Sequence, residues 1–179
     1  HEIANVAGTA GIRYMLEATK NLLLDVYFMM PSCVPSTALD ESGAELHMED
    51  LLPFYQNERV LGLAEMMNYT GVIQGDTEVL QKIAAAHKYH CRIDGHAPGL
   101  SGRELNAYVA SGVYSDHECS SMEEALEKLS RGQYIMIREG TAARNLRALA
   151  GLLVPQYYEH CMFCTDDKHP NDLLHVGHM

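Results

Sequence analysis

Cys91-Arg-Ile-Asp-Gly-His96, followed by the helical pattern that opens at Ser101 and by Val113-Tyr-Ser-Asp-His117, reads as one complete β/α unit. Its first run is short and apolar. Ser101-Gly-Arg-Glu104 is then a capping box, in which serine hydroxyl and glutamate carboxylate each satisfy the other residue's free amide. Leu105, Tyr108 and Val109 follow at helical spacing and give this helix one core face. The same alternation recurs on either side. Strand-like runs occupy residues 25–30, 60–65, 134–138 and 161–165, and helical segments open near Glu2, Thr77, Ser121 and Ala142. Ser121-Met-Glu-Glu124 repeats the capping box, and Val79, Leu80, Ile83 and Ala84 repeat the single core face. The strands are apolar on both faces, as a parallel sheet covered by helices requires. The fold class is therefore α/β, built as a β/α succession. A doubly wound nucleotide fold would carry a Gly-rich phosphate loop after its first strand, and neither G-x-G-x-x-G nor a P-loop occurs. That favours a barrel.

In a barrel, chemistry is assembled from the carboxyl ends of several strands. Four runs end, in order, on Glu65, His96, His117 and Asp166, separated by 31, 21 and 49 residues. Each separation accommodates one or two β/α units, which would bring all four side chains to one rim. Any one of them alone reads as a helix cap or a satisfied core residue. Four in series do not, because capping has no reason to choose histidine twice. Two imidazoles and two carboxylates match the mixed ligation of zinc, manganese or ferrous iron. Such a metal lowers the pKa of bound water towards 7, and a metal pair can share one hydroxide. Glu65, with two oxygens, is suited to bridging.

Composition narrows the partners. The chain has 179 residues, 47% of them hydrophobic and 21% charged, enough for a folded core and too apolar for disorder. With 24 acidic against 13 basic residues the formal net charge is −11, which repels phosphate backbones and anionic lipid. Nucleic acid and membrane are not expected partners. No apolar run reaches the roughly 18 residues of a membrane span, and no signal-peptide pattern opens the chain, so a cytoplasmic protein is expected. Five cysteines, an odd number, point to reduced thiols, and Cys161-x-x-Cys164 reads as strand packing rather than a redox or zinc motif. His87-x-x-His90 and His175-x-x-His178 lie in helical segments and read as surface or end-capping residues.

At a finer level, Asp94-Gly-His-Ala-Pro-Gly-Leu-Ser-Gly102, Ser115-Asp-His-Glu-Cys119, Met136-Ile-Arg-Glu-Gly140 and Thr165-Asp-Asp-Lys-His-Pro170 closely resemble the bacterial adenine deaminases of the amidohydrolase superfamily. His1-Glu-Ile-Ala-Asn-Val6 and Ala64-Glu-Met-Met-Asn68 extend the resemblance along nearly the whole chain. It implies a (β/α)8 TIM-type barrel with a binuclear centre of two divalent ions, manganese first and iron or zinc as alternatives, which hydrolyses adenine to hypoxanthine and ammonia in purine salvage. It further implies that Glu65 bridges the metals, that His96 and His117 hold the second, and that Asp166 holds the first beside the hydroxide. A homo-oligomer is implied as well. One element of the family is missing: no His-x-His, the source of the first metal's two histidines, occurs in residues 1–179. The chain is accordingly expected to be a single partial catalytic domain running from the end of barrel strand two through strand eight. The isolated piece is expected to be poorly soluble and inactive.

Further residues at the same rim carry two readings each. Asp167 shares metal binding or proton transfer, or stabilises a following helix by its charge. Glu118 hydrogen-bonds a purine ring nitrogen or caps the next helix. Arg138 and Glu139 contact substrate or form a local ion pair. His1 and Glu2 contribute to a pocket floor, and Ser32 does the same or makes a turn. Asp166, Asp167 and Glu118 are the candidate catalytic groups. Two other functions fit the ligands alone: hydrolysis of another cyclic amide or amidine, and a non-catalytic metal-binding remnant.

Overall fold

In the computed structural model, which describes residues 1–37 and 39–178, the chain divides into two compact units. The first comprises His1–Asp94 with Ser111–Val113 and the second Gly95–Ala110 with Tyr114–Met179.

Helix α1 (Glu2–Ala18) opens the first unit and kinks at Gly8, whose φ of 54° is left-handed. Strand β1 (Phe28–Met30) is shorter than the run 25–30 expected for it. Pairing starts only at Phe28, whose amide donates to the Arg59 carbonyl, and Leu22, Leu23 and Leu24 before it are exposed. A short helix α2 (Met48–Leu51) and a 3-10 turn (Leu52–Gln56) lead to β2 (Val60–Met66), which runs parallel to β1 with Phe28 opposite Val60 and Met30 opposite Leu63. Leu63 and Met66 are fully buried. Helix α3 (Tyr69–Gln74) ends on Gly75 in the left-handed conformation, and α4 (Thr77–Lys88) starts on the Asp76 side chain, which accepts from the Val79 amide. Strand β3 (Arg92–Gly95) completes the order β1-β2-β3.

Helix α5 (Gly102–Ala110) turns its buried Leu105 and Tyr108 inward as their spacing predicts. At its start the Gly102 amide donates to the Glu127 carboxylate at 2.9 Å. Strand β4 is only Ser115–Asp116, because the ladder to the next strand stops there. The carbonyls of His117 and Cys119 accept instead from Asn145 Nδ2. Helix α6 (Met122–Leu129) is capped by Ser121 as expected, with Glu124 reaching one residue further back, to the Ser120 amide. Strand β5 (Tyr134–Arg138) matches its expected bounds and pairs in parallel with β4 and with β6 (Cys161–Cys164), in the order β4-β5-β6. Ile135 and Ile137 of β5 pack with Cys119, Ala125, Leu149 and Leu152 in the core of this unit.

Helix α7 (Leu146–Leu149) starts four residues later than the expected Ala142. Residues 139–145 fold back on β5 first: Gly140 N donates to Ala143 O, Arg144 Nε to Gly140 O, and Asn145 N to Arg138 O. Helix α8 (Pro170–Val176) likewise begins beyond Asp167, which therefore lies outside the first helical turn. The architecture is mixed α/β with parallel strand pairs. None of the five cysteines forms a disulfide among the described residues.

Candidate metal centre

In the first unit, Glu65 sits near the end of β2. Its carbonyl accepts a short hydrogen bond from the hydroxyl of the buried Ser32, and its Oε1 lies 3.4 Å from His1 Nδ1. The other ring nitrogen of His1, Nε2, is buried without a hydrogen-bond partner among the described residues. Glu2 differs: its side chain is 88% exposed and lies 3.4 Å from the terminal amino group of His1. Ser32 is in turn held by the Lys82 ammonium, which donates to the Ser32 carbonyl at 3.1 Å and pairs with Glu78 one helical turn back.

The second unit carries the denser constellation. His96 directly follows β3, and its amide donates to the hydroxyl of the fully buried Tyr108. His117 directly follows β4. The two rings meet edge to face, with His96 Nδ1 and His117 Nε2 3.3 Å apart. Glu118 Oε1 closes a triangle with them, at 3.5 Å from His96 Nδ1 and 3.4 Å from His117 Nε2. Arg138, which ends β5, grips the same Oε1 and also Oε2 of Glu118, and donates to Asp166 Oδ2 at 2.6 Å. Burial opposes the charge of Arg138, but the two carboxylates outweigh it and hold the guanidinium above its usual pKa. Asp166 has φ 53°, a left-handed backbone that costs about a kcal/mol or more outside glycine and is concentrated at functional positions.

The remaining residues at this rim divide. Glu139 does not pair with Arg138; its carboxylate accepts from the Leu146 amide and caps α7. Asp167 is exposed and its carbonyl accepts from the Thr141 amide. Ligand atoms of His117, Glu118 and Asp166 lie within 4.8 Å of one another.

A match to the amidohydrolase family covers residues 1–172. The chain belongs to the amidohydrolase family. It is 51% identical over 179 residues to the adenine deaminase of Desulfatibacillum aliphaticivorans, covering all of this chain and 32% of that protein. The adenine deaminase of Clostridium acetobutylicum is 54% identical over the same length, with 31% of it covered. Adenine deaminase 2 of Carboxydothermus hydrogenoformans is 53% identical over 177 residues, again with 31% covered. The chain thus spans about a third of the length of the curated relatives it matches.

Membership of the amidohydrolase family implies a divalent metal, and the donor set fits one. The His96 and His117 ring nitrogens lie 3.3 Å apart, near enough that both would hold one ion, and neutral imidazole suits zinc, manganese or ferrous iron. A third group of possible ligands, Asp116, Cys119 and Glu124, is different in kind, because the Lys128 ammonium already binds two of its members. Burial, which favours the uncharged form, and the Asp116 carboxylate push the Cys119 thiol well above its usual pKa, so it is no ready thiolate ligand. Among the described residues no helix is long and apolar enough to cross a membrane.

The sequence reading passed over Asp116 and Lys128 and took Tyr108 only for a core residue of its helix. Asp116 stands inside the Ser115-Asp-His-Glu motif and carried a signal. Lys128, four residues after Glu124, looks like half of an ordinary solvent-exposed helix pair, and only the fold shows that it is fully buried.

Proposed function

We propose that the full-length protein is a metal-dependent aminohydrolase that converts adenine and water to hypoxanthine and ammonia. The observation that carries this reading is the identity of about one half, along the whole chain, to adenine deaminases. The facing of His96, His117 and Glu118 supports it chemically. In this reading residues 1–179 are part of one catalytic (β/α)8 barrel of a cytoplasmic homo-oligomer acting in purine salvage.

Glu65 would bridge two divalent ions, with His96 and His117 on one and Asp166 on the other. When bound, such ions, manganese before iron or zinc, supply water of lowered pKa and Lewis acidity at the amino-bearing carbon. Asp166 takes the proton that water gives up and returns it to the departing amine, so that ammonia leaves as a neutral molecule. Arg138 donates to the Asp166 carboxylate and fixes its direction. Glu118, held through both carboxylate oxygens by the same guanidinium, faces the ring edge of the base. His1 packs behind Glu65 and limits its rotation, and Asp167 provides an exposed relay for the proton.

The full-length protein loaded with manganese should release one ammonia per hypoxanthine formed and hold about two ions per subunit. Glu65→Gln should lose most of one or both ions, because a neutral amide is a poor bridge between cations. Absence of ammonia release from adenine, or full metal content and activity in Glu65→Gln, would overturn the reading.

A further inference from the structure

The buried pair Asp116–Lys128 does no chemistry at the rim, yet both members are wholly inaccessible. Lys128 reaches from α6 and spends all three ammonium hydrogens: on the Ala97 carbonyl at 2.7 Å, Asp116 Oδ2 at 3.0 Å and Glu124 Oε1 at 2.8 Å. Asp116 is equally committed. Its Oδ1 accepts from the Ala97 amide at 2.8 Å, and its Oδ2 from the Glu118 amide at 2.9 Å as well as from Lys128 and the Cys119 thiol. Glu124 extends the grip, accepting from the amides of Gly99 and Ser120. Every one of these backbone groups belongs to the loop after β3 or the loop after β4. Ala97 is the residue after His96, and Asp116 and Glu118 flank His117. The contacts therefore fix both peptide segments from which the two imidazoles project.

Stability alone does not call for charges here, since a buried ion pair is commonly no better than apolar residues of the same volume. What an ion pair with six directional bonds supplies is position. From this geometry we infer that Asp116 and Lys128 are positioning residues, which hold His96 and His117 at the separation that binds the metal. The inference rests on the proposed metal centre. The chemistry of the pair identifies the informative substitution. In Asp116→Asn one amide group replaces Oδ2, so a donor faces three donors, the Lys128 ammonium, the Glu118 amide and the Cys119 thiol, while the contact of Oδ1 with Ala97 survives. The volume is unchanged and the loop carrying His117 is released.

The test uses the full-length enzyme and three variants: Asp116→Asn, Lys128→Met, and the double variant, which leaves no unpaired charge. Manganese dissociation constants, thermal unfolding, and kcat and KM for adenine are measured in each. Outer partners of metal ligands typically change affinity or activity by about 10–100-fold. Folded variants should accordingly bind manganese about tenfold or more weakly, with kcat lowered and KM for adenine within about threefold of the unaltered enzyme. Folded variants with unchanged manganese affinity and kcat would overturn the positioning role, as would a change confined to KM. Failure of all three to fold would assign the pair to stability alone and overturn it equally. An unaltered enzyme that binds no manganese would instead overturn the metal centre itself, a result distinguishable from the others because it needs no variant.

Discussion

Asp166 combines three features: a place two residues beyond β6, a left-handed backbone and a guanidinium against its carboxylate. Asparagine tolerates the left-handed region at least as well as aspartate, so Asp166→Asn separates chemistry from conformation. Its unfolding temperature should stay close to that of the parent. Its kcat should fall by about 10²–10⁴, the usual worth of a positioned proton-transfer group, with a much smaller change in KM. A large KM effect at unchanged kcat would move Asp166 from proton transfer to substrate binding. Asp166, His96, His117 and Glu65 stood out as candidates because four polar residues in series each follow an apolar run, although any one alone reads as a cap or a core residue. Arg138 was legible only as a residue at the rim. Its partners come from segments 20 and 28 residues away, and no local pattern selects Glu118 and Asp166 over the adjacent Glu139.

Elements show the same division between local and distant causes. Strand β5 matched its expected bounds because its alternating buried isoleucines and its parallel partners on both sides agree with its sequence. Strand β4 and helix α7 did not match, and one side chain accounts for both. Asn145 accepts from the Arg138 amide at 2.6 Å and donates to the Cys119 carbonyl at 2.9 Å, ending one ladder and delaying the helix. Periodicity cannot reveal a side chain that replaces backbone pairing. Strand β2 contains a case where the cause is steric. A Cβ at Gly62 would lie 2.1 Å from the Arg92 carbonyl oxygen of β3 and 2.7 Å from Met29 Cε. Backbone cannot yield as a side chain does, so Gly62→Ala should cost about 1–3 kcal/mol, read as a lower unfolding temperature and soluble yield. Unchanged stability would show that β2 and β3 separate freely. Helix α6 contributes through Lys128. Burial alone would lower the pKa of this ammonium, but the Asp116 carboxylate more than compensates and raises it. A raised lysine pKa gives stability that is complete below the unfolded value of about 10.4 and is lost as pH rises through the higher folded value. Asp116 works in the opposite sense. Burial would raise its pKa, Lys128 and the amides of Ala97 and Glu118 bring it below the usual range, and its contribution is lost in acid. Alkaline unfolding of Lys128→Met should therefore lack a component that the parent shows above about pH 10.4, and at neutral pH the variant should be less stable by about 3–5 kcal/mol. Parallel alkaline profiles would show that the pair is not ionised.

At the scale of the 179 residues together, charge gives the proposed activity a testable preference between substrates that share a base. The 179 residues carry a formal charge of −11 and contain no Gly-rich phosphate cradle, whereas the candidate centre offers imidazoles and carboxylates to a ring edge. Arg138, the cation nearest these groups, is already shared by Glu118 and Asp166 and has little left for a phosphate. Adenine is neutral at pH 7 and meets no long-range repulsion; AMP brings about two negative charges towards an acidic surface. The full-length enzyme should therefore deaminate adenine with kcat/KM at least about 10³-fold above that for AMP, equivalent to about 4 kcal/mol of discrimination. Ionic strength supplies the control. Raising salt from about 0.01 M to about 0.15 M shortens the screening length from about 30 Å to about 8 Å, which should leave the adenine rate unchanged and raise any residual AMP rate. If AMP discrimination persisted undiminished in high salt, shape at the ribose side of the pocket rather than charge would be responsible. Comparable rates on both substrates would mean that a phosphate is accommodated, and that the acidity of the chain does not govern what reaches the centre.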